Sequence, residues 1–343
     1  MTREIVIGGT SIKPGERRRI CLDVAKLYDF TDMNIPIEVV RGKEEGPVLF
    51  VSGAIHGDEI NGVEIIRRLL VKKALKNIKG TLIAVPIVNV YGFNSNSRYL
   101  PDRRDLNRNF PGSPNGSLTA QLAYTFMSEI VDKCTHGIDL HTAAINRANL
   151  PQIRACLDDP ETQRMAHAFQ VPVLLHSTLR DGSLREATRE RKIPTLLFEG
   201  GEALRFNEKV IKSGLRGVLS VMREIRMLPP LKKETADKPE VFIARSSHWI
   251  RAPYSGILSV KKKLGERVKK GQVLGIVSDP FGHDRQELLA RRTGIIIGTT
   301  TLPLLNRGDA AFHIATFENA NTVEESVDMF EEQLDSDDSR RFL

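Results

Sequence analysis

Cysteine is scarce in this chain: three residues in 343, Cys21, Cys134 and Cys156, lie far apart and form no C-x-x-C pair. That excludes a disulfide framework and a cysteine-built zinc site, and it leaves the thiols as small buried fillers. Long apolar runs are lacking too. No stretch approaches the roughly 18 uninterrupted apolar residues of a membrane helix. The opening Met1-Thr2-Arg3-Glu4 begins no signal-peptide core, so no membrane association is expected and the cytoplasm is the default compartment. Aromatic residues are only 6% of the chain and do not interleave with basic ones as a single-strand binder requires, which removes nucleic acid from the expected partners. The excess of positive charge is modest, a formal +7, and amounts to a bias toward small anionic molecules. Repeats and low-complexity segments are absent from the sequence.

What is present is an ordinary globular composition, 41% apolar and 27% charged, in a chain long enough for two domains. Residues 1–45 carry short apolar stretches, around 5–7 and 35–40, separated by polar turns such as Lys13-Pro14-Gly15-Glu16, and read as an antiparallel β lead-in. From Pro47 onward apolar strands alternate with amphipathic helices. Strands are expected over 48–52, 81–88, 137–140, 171–175 and 195–198, and helices over 60–75, 119–132, 160–169 and 206–227. That alternation predicts an α/β sheet covered on both faces, over residues 46–230. Leu228-Pro229-Pro230-Leu231 and the charged residues after it cannot continue a helix and mark the domain boundary. Residues 240–317 are all-β in texture, with strands expected near 257–260, 272–277, 294–299 and 309–314. The tail over 318–343 is acidic. Its Val323, Val327, Phe330 and Leu334 recur at helical spacing, so one amphipathic helix is expected before a disordered end over 335–343.

The chain is organised around Gly53-Ala54-Ile55-His56-Gly57-Asp58-Glu59-Ile60-Asn61-Gly62, which follows the apolar run Val48-Leu49-Phe50-Val51. His56 and Glu59 thus stand where a strand hands over to a helix, the place where open α/β sheets collect ligands. A second His, His141, follows the strand-like Gly137-Ile138-Asp139-Leu140 and is trailed by Thr142 and the small Ala143-Ala144, which suits an open cleft. Each signal alone has an ordinary explanation, a solvated surface pair or a core histidine bonded to backbone. Together, two imidazoles and one carboxylate are the ligand set of a catalytic zinc with one position left open, whereas a structural zinc is closed by four protein ligands. Between these stretches lies the polar loop Asp105-Leu106-Asn107-Arg108-Asn109, with a planar guanidinium fork and a neutral amide suited to gripping a carboxylate.

The order and approximate spacing of His56-Gly57-Asp58-Glu59, Asp105-Leu106-Asn107-Arg108, Asp139-Leu140-His141-Thr142 and Phe198-Glu199-Gly200-Gly201 resemble the succinylglutamate desuccinylase/aspartoacylase family, within the wider zinc carboxypeptidase-like group. The likeness covers roughly residues 45–225. It implies a mixed sheet flanked by helices and hydrolysis of the amide of a small N-acyl amino acid with Zn2+ as cofactor. It implies His56, Glu59 and His141 as metal ligands and Glu199 as general base. Asn107 and Arg108 would bind the substrate carboxylate, Arg98 would bind and polarise the substrate, and Asp105 would orient His56. Glu199 ends the mostly apolar run from Ile193 and precedes two glycines, so a weakly polar surround is expected to raise its pKa toward neutrality.

Ala252-Pro253-Tyr254-Ser255-Gly256-Ile257 and Lys263-Leu264-Gly265-Glu266-Arg267-Val268-Lys269-Lys270-Gly271-Gln272 resemble the turns of a biotinyl/lipoyl-type barrel sandwich. Those carriers present a modified lysine at a hairpin tip. The matching region Asp279-Pro280-Phe281-Gly282-His283-Asp284 has none, so a structural or cleft-lining module is expected. The reading is a zinc-dependent deacylase of a small anionic N-acyl compound. Alternatives are a carboxypeptidase-type peptide hydrolase and a non-catalytic zinc-binding relative. Oligomeric state stays open, a partner copy packed on the β module being one expectation.

Overall fold

The computed structural model describes residues 4–177, 179–231 and 240–336. Four buried parallel strands form its heart, in the order Thr81–Val85, Val48–Gly53, His136–Ala143, Thr195–Glu202. Near-continuous apolar strands need cover on both faces, and both are covered. On one face the helices Asn61–Leu70, Pro160–Ala168 and Glu208–Glu224 bury Ile65, Leu69, Met165, Leu215 and Val218 against Val51, Leu140 and Phe198. On the other, the helix Leu118–Glu129 sets Phe126 edge-on against Phe50, ring centres 6.2 Å apart. Local sequence fixes where these helices begin. Ser117, Asp159 and Asn207 each accept a backbone N–H of the first turn, and Pro160 occupies a first-turn position where its missing N–H costs nothing.

Several elements end earlier than periodicity suggests, the helices expected over 119–132 and 206–227 stopping at Glu129 and Glu224. The strand expected over 81–88 stops at Val85, because Pro86 has no N–H for a ladder. The helix expected over 60–75 stops at Leu70, and Lys73–Asn77 forms a separate 3-10 turn. Of the three thiols expected to be buried fillers, only Cys134 is buried; Cys21 is exposed and Cys156 partly so.

Antiparallel strands Asp32–Arg41 and Arg17–Lys26 extend the sheet beyond Thr81–Val85. At its other side lies Arg147–Ala155, antiparallel to Thr195–Glu202. This strand continues the sheet in two directions. Its second half pairs with Val173–His176, and its first half pairs through Arg147, Ala148 and Asn149 with Gly294–Thr300 of the C-terminal module. Ala310–Thr316 and then Ser246–Arg251 follow, so one 13-stranded sheet spans both parts of the chain. A separate four-stranded sheet, containing Gly256–Val260 and Val273–Ser278, packs Leu258, Leu274 and Val277 against Ile296 and Phe312 of the large one, a sandwich of the kind the turn sequences imply. The helix Ala320–Ser336 buries Val323, Val327, Phe330 and Leu334, as their spacing predicts. Asp335 and Ser336 belong to that helix, and the rest of the expected disordered end lies outside the described residues.

Candidate active site

The strand Val48–Gly53 ends at Ala54, which takes a left-handed φ of 48°. Such a conformation costs a residue with a Cβ about 1 kcal/mol or more. It turns the chain so that His56 and Glu59 face back over the carboxyl ends of the strands. Gly57 lies against the helix Val90–Asn94, where a Cβ would come within 2.0 Å of the Gly92 carbonyl carbon, so this turn admits no larger residue.

His141, from the neighbouring strand, completes the group. His56 Nδ1 lies 2.7 Å from Glu59 Oε1 and His141 Nδ1 lies 2.7 Å from Glu59 Oε2. One ligand atom from each of the three lies within 4.8 Å of the others, and all three side chains are buried. A carboxylate stands behind each imidazole. Asp105 Oδ1 is 3.0 Å from His56 Nε2, and Asp139 Oδ2 is 2.6 Å from His141 Nε2, while Ser52 donates to the other Asp139 oxygen at 2.8 Å. Pairing of each Nε2–H with a carboxylate fixes the tautomer and turns a basic Nδ1 toward the centre. Burial disfavours charge on both rings, yet Glu59 and Asp105 for His56, and Asp139 and Glu59 for His141, outweigh it and hold both pKa values above the ordinary histidine range. Burial likewise pushes Glu59 up, and the two imidazoles overcome it and hold that carboxyl well below the usual range. Glu59, Asp105 and Asp139 outnumber the one guanidinium among them, that of Arg98, so the two imidazoles are drawn to positive charge, which a proton or a metal ion at the centre can supply. Two imidazole nitrogens and a carboxylate, with no thiolate, suit zinc or a similar divalent ion.

Around the triad lies a cavity of about 180 Å³ that all the expected contact residues except Asp105 line directly. Asp105 instead ties it together: its carboxylate accepts from Asn107 N–H at 2.9 Å and from Arg98 at 3.0 Å, and Arg98 also reaches Glu59 at 3.2 Å. Asn107 Oδ1 accepts the Leu184 N–H at 2.9 Å, at the start of the helix Leu184–Glu190, which leaves the amide NH2 to donate into the cavity. Arg108 donates to the Asn107 carbonyl at 2.5 Å. Glu199 is brought to the same cavity, but the weakly polar surround expected for it is not found. Asn149 donates to its Oε2, and the Arg154 Nε lies 3.4 Å from its Oε1.

Sequence reasoning missed Asp139, Asn149, Trp249 and the arginines Arg147, Arg154, Arg180 and Arg185, all of which line the cavity. Asp139 had a usable signal, a carboxylate two residues before a ligand histidine on one strand face. A neighbouring hollow of about 300 Å³ shares Arg185 but includes none of the triad.

Residues 45–225 match the succinylglutamate desuccinylase/aspartoacylase catalytic domain. The chain belongs to the succinylglutamate desuccinylase/aspartoacylase family. It is 29% identical over 300 residues to the N-alpha-acetyl-L-2,4-diaminobutyric acid deacetylase of Halomonas elongata, a span that covers 82% of this chain and 85% of that protein. Among solved structures it resembles the succinylglutamate desuccinylase/aspartoacylase of Rhodobacter sphaeroides, with TM-score 0.78, 26% identity, and coverage of 88% of this chain and 96% of that one. The product-bound ectoine utilization protein EutE of Ruegeria pomeroyi shares the fold at TM-score 0.78 and 24% identity, over 88% of this chain and 95% of that one. All eight residues that the sequence put forward lie inside the family match, whereas Trp249 lies beyond it. Among the described residues, no helix is long and apolar enough to cross a membrane.

Proposed function

We propose that this protein is a zinc-dependent deacylase that hydrolyses the amide bond of a small anionic N-acyl amino acid. One observation carries the reading: the buried His56–Glu59–His141 group opens on a cavity whose walls present Glu199, Arg98 and the Asn107–Arg108 pair. His56, Glu59 and His141 would hold the ion, which when bound supplies Lewis acidity to acidify water and polarise a carbonyl. In this reading, Asn107 and Arg108 take the substrate carboxylate, the guanidinium forming paired bonds and the amide a third. Arg98, fixed by Glu59 and Asp105, turns its remaining N–H groups toward the oxygen that gains charge as the amide is attacked. Glu199 accepts the proton of the attacking water and delivers it to the amide nitrogen as the C–N bond breaks, leaving a free amine and the carboxylate of the acyl group.

Charge supports an acidic substrate. Six arginines line the cavity against three carboxylates, Glu59, Asp139 and Glu199, each of which is already paired. A diaminobutyrate-type substrate, as in the Halomonas relative's name, brings an amino group for which no lining carboxylate stands free. The small cavity also favours a compact N-acyl compound over a peptide chain. The test is metal content of the purified protein together with hydrolysis of N-acetyl and N-succinyl amino acids beside short peptides with free C-termini. Hydrolysis of acidic N-acyl amino acids that is lost on chelation and restored by zinc is expected. Cleavage of the peptides alone would make the protein a carboxypeptidase, and no metal and no turnover would leave a binding module.

A further inference from the structure

The sheet that runs from the catalytic strands into the C-terminal module carries a register beyond the reach of the family match. Trp249 pairs with His313, His313 with Gly298, and Gly298 with Asn149, so the four stand in one cross-strand row. Residues directly opposite one another on neighbouring strands project to one face. Trp249 and His313 therefore share the face of Asn149, the residue that holds Glu199. Gly298 is a required gap in this row. A Cβ there would lie 2.8 Å from Asn149 Oδ1 and 3.2 Å from the His313 Cβ.

Arg147 stands two residues before Asn149 on the same strand and so projects to the same face, about 7 Å along it. Its guanidinium carbon is 5.3 Å from the centre of the Trp249 ring. The His313 imidazole stacks on Trp249 at 4.4 Å with the planes 8° apart. That imidazole is buried and bonded to Ser247 Oγ at 2.9 Å; burial first, then the charges of Arg154 and His248, push its pKa down to about 3, so it is a neutral plate. Arg147 and Trp249 both line the cavity, and Arg147 makes no ion pair among the described residues. A guanidinium propped on an aromatic ring loses rotamer freedom while its N–H edge stays available as a fork for a carboxylate.

We propose that Arg147, supported by Trp249, binds a second carboxylate of the substrate, distinct from the one received by Asn107 and Arg108, so that the C-terminal module sets specificity. The proposal deepens the deacylase reading and rests on it. The second carboxylate comes either from a dicarboxylic acyl group or from the side chain of an acidic amino acid. Both present the same chemistry to Arg147.

Trp249 is the single tryptophan of the chain, so its fluorescence reports occupancy without turnover. The full-length zinc-loaded protein is titrated with succinate against acetate, for the acyl source, and with aspartate against asparagine, for the side-chain source. A fluorescence change with a dicarboxylate in at least one arm is expected, and the responding arm names the source. Arg147→Met keeps the fluorophore and should weaken that dicarboxylate tenfold or more while leaving its monocarboxylate partner within twofold. In turnover, the kcat/KM preference for N-succinyl over N-acetyl substrates, or for N-acetylaspartate over N-acetylasparagine, should collapse in Arg147→Met and Trp249→Ala and survive in Trp249→Phe. No response in either arm, or equal weakening of mono- and dicarboxylates, overturns the proposal. Hydrolysis whose preference is untouched by Arg147→Met also overturns it and leaves the deacylase reading standing. Arg147-dependent binding with no hydrolysis of any N-acyl compound does the reverse.

Discussion

At one end of the cavity each buried charge faces an opposite one, and at the other end guanidiniums outnumber the groups that could receive them. Around Glu59 two imidazoles, Arg98 and the Thr142 N–H, at 3.1 Å, converge on a single carboxylate. Across the cavity Arg185 is only 9% exposed, yet among the described residues its guanidinium donates only to the Ser177 hydroxyl, at 3.0 Å. Burial, then the like charge of Arg154, push its pKa down to about 10. Burying a charge without a counter-charge is costly, and folding alone gives no reason to retain it. The difference teaches that the two ends are completed by different things. In the proposed reading the triad end would be completed by an ion and by neighbours the chain itself supplies, whereas the arginine end would be completed by the substrate's negative charge.

The largest effects are expected at the triad end. His56→Ala and His141→Ala should each lose bound metal and activity together, because a three-ligand site rarely survives with two. Metal analysis beside turnover checks this, and a full equivalent of zinc retained by either variant breaks the assignment. Glu199→Gln comes next. It keeps the shape of the side chain and should hold metal and substrate while kcat falls by about a hundredfold or more, the usual scale for a positioned base. Near-normal turnover would remove Glu199 from the chemistry and leave it as the partner of Asn149 and Arg154.

Arg108→Met tests the far end. A charge-assisted bond to a carboxylate is worth about 1.5–3 kcal/mol, so kcat/KM should fall by about tenfold to a hundredfold on the free acid. The primary amide of the same substrate removes the partner and should lose far less. Equal losses on both would mean that Arg108 supports the loop rather than reading charge.

The triad and the strands around it were legible because each depends on a few neighbouring residues. His56-Gly57-Asp58-Glu59 follows a four-residue apolar run, and His141 follows another strand, so strand-end logic placed them without knowledge of the fold. The arginine wall was not legible. Arg147, Asn149 and Arg154 belong to a strand, Arg147–Ala155, that carries Pro151 at its middle and polar residues on both sides of it, which hides it from any period-2 pattern. Arg185 lies in a seven-residue helix, Leu184–Glu190, too short and too polar to show a 3.6 period. Trp249 reaches the cavity only through sheet pairings with residues far away in the chain, and no local pattern encodes those.

The smallest expected effect, and the sharpest for the comparison, is on stability. Replacing even a buried ion pair with apolar side chains of similar volume is often neutral or stabilising by about 1–4 kcal/mol, and a buried cation without a paired carboxylate has less attraction to lose. Because Arg185 keeps the Ser177 hydroxyl, Arg185→Met should sit at the low end, near about 1 kcal/mol, with Tm raised by a few degrees. The sign follows from linkage. A cation whose folded pKa is about 10, below its ordinary value of 12.5, binds protons less readily folded than unfolded, so it lowers stability at every pH below about 10. The penalty is relieved only as pH rises through that value. Thermal unfolding at neutral pH without substrate should therefore favour the variant, while saturating acidic substrate or product should stabilise the wild type more and narrow the gap. A Tm that falls on substitution would show that Arg185 is held for the fold. The wall would then be a structural device, and the contrast between the two ends would disappear.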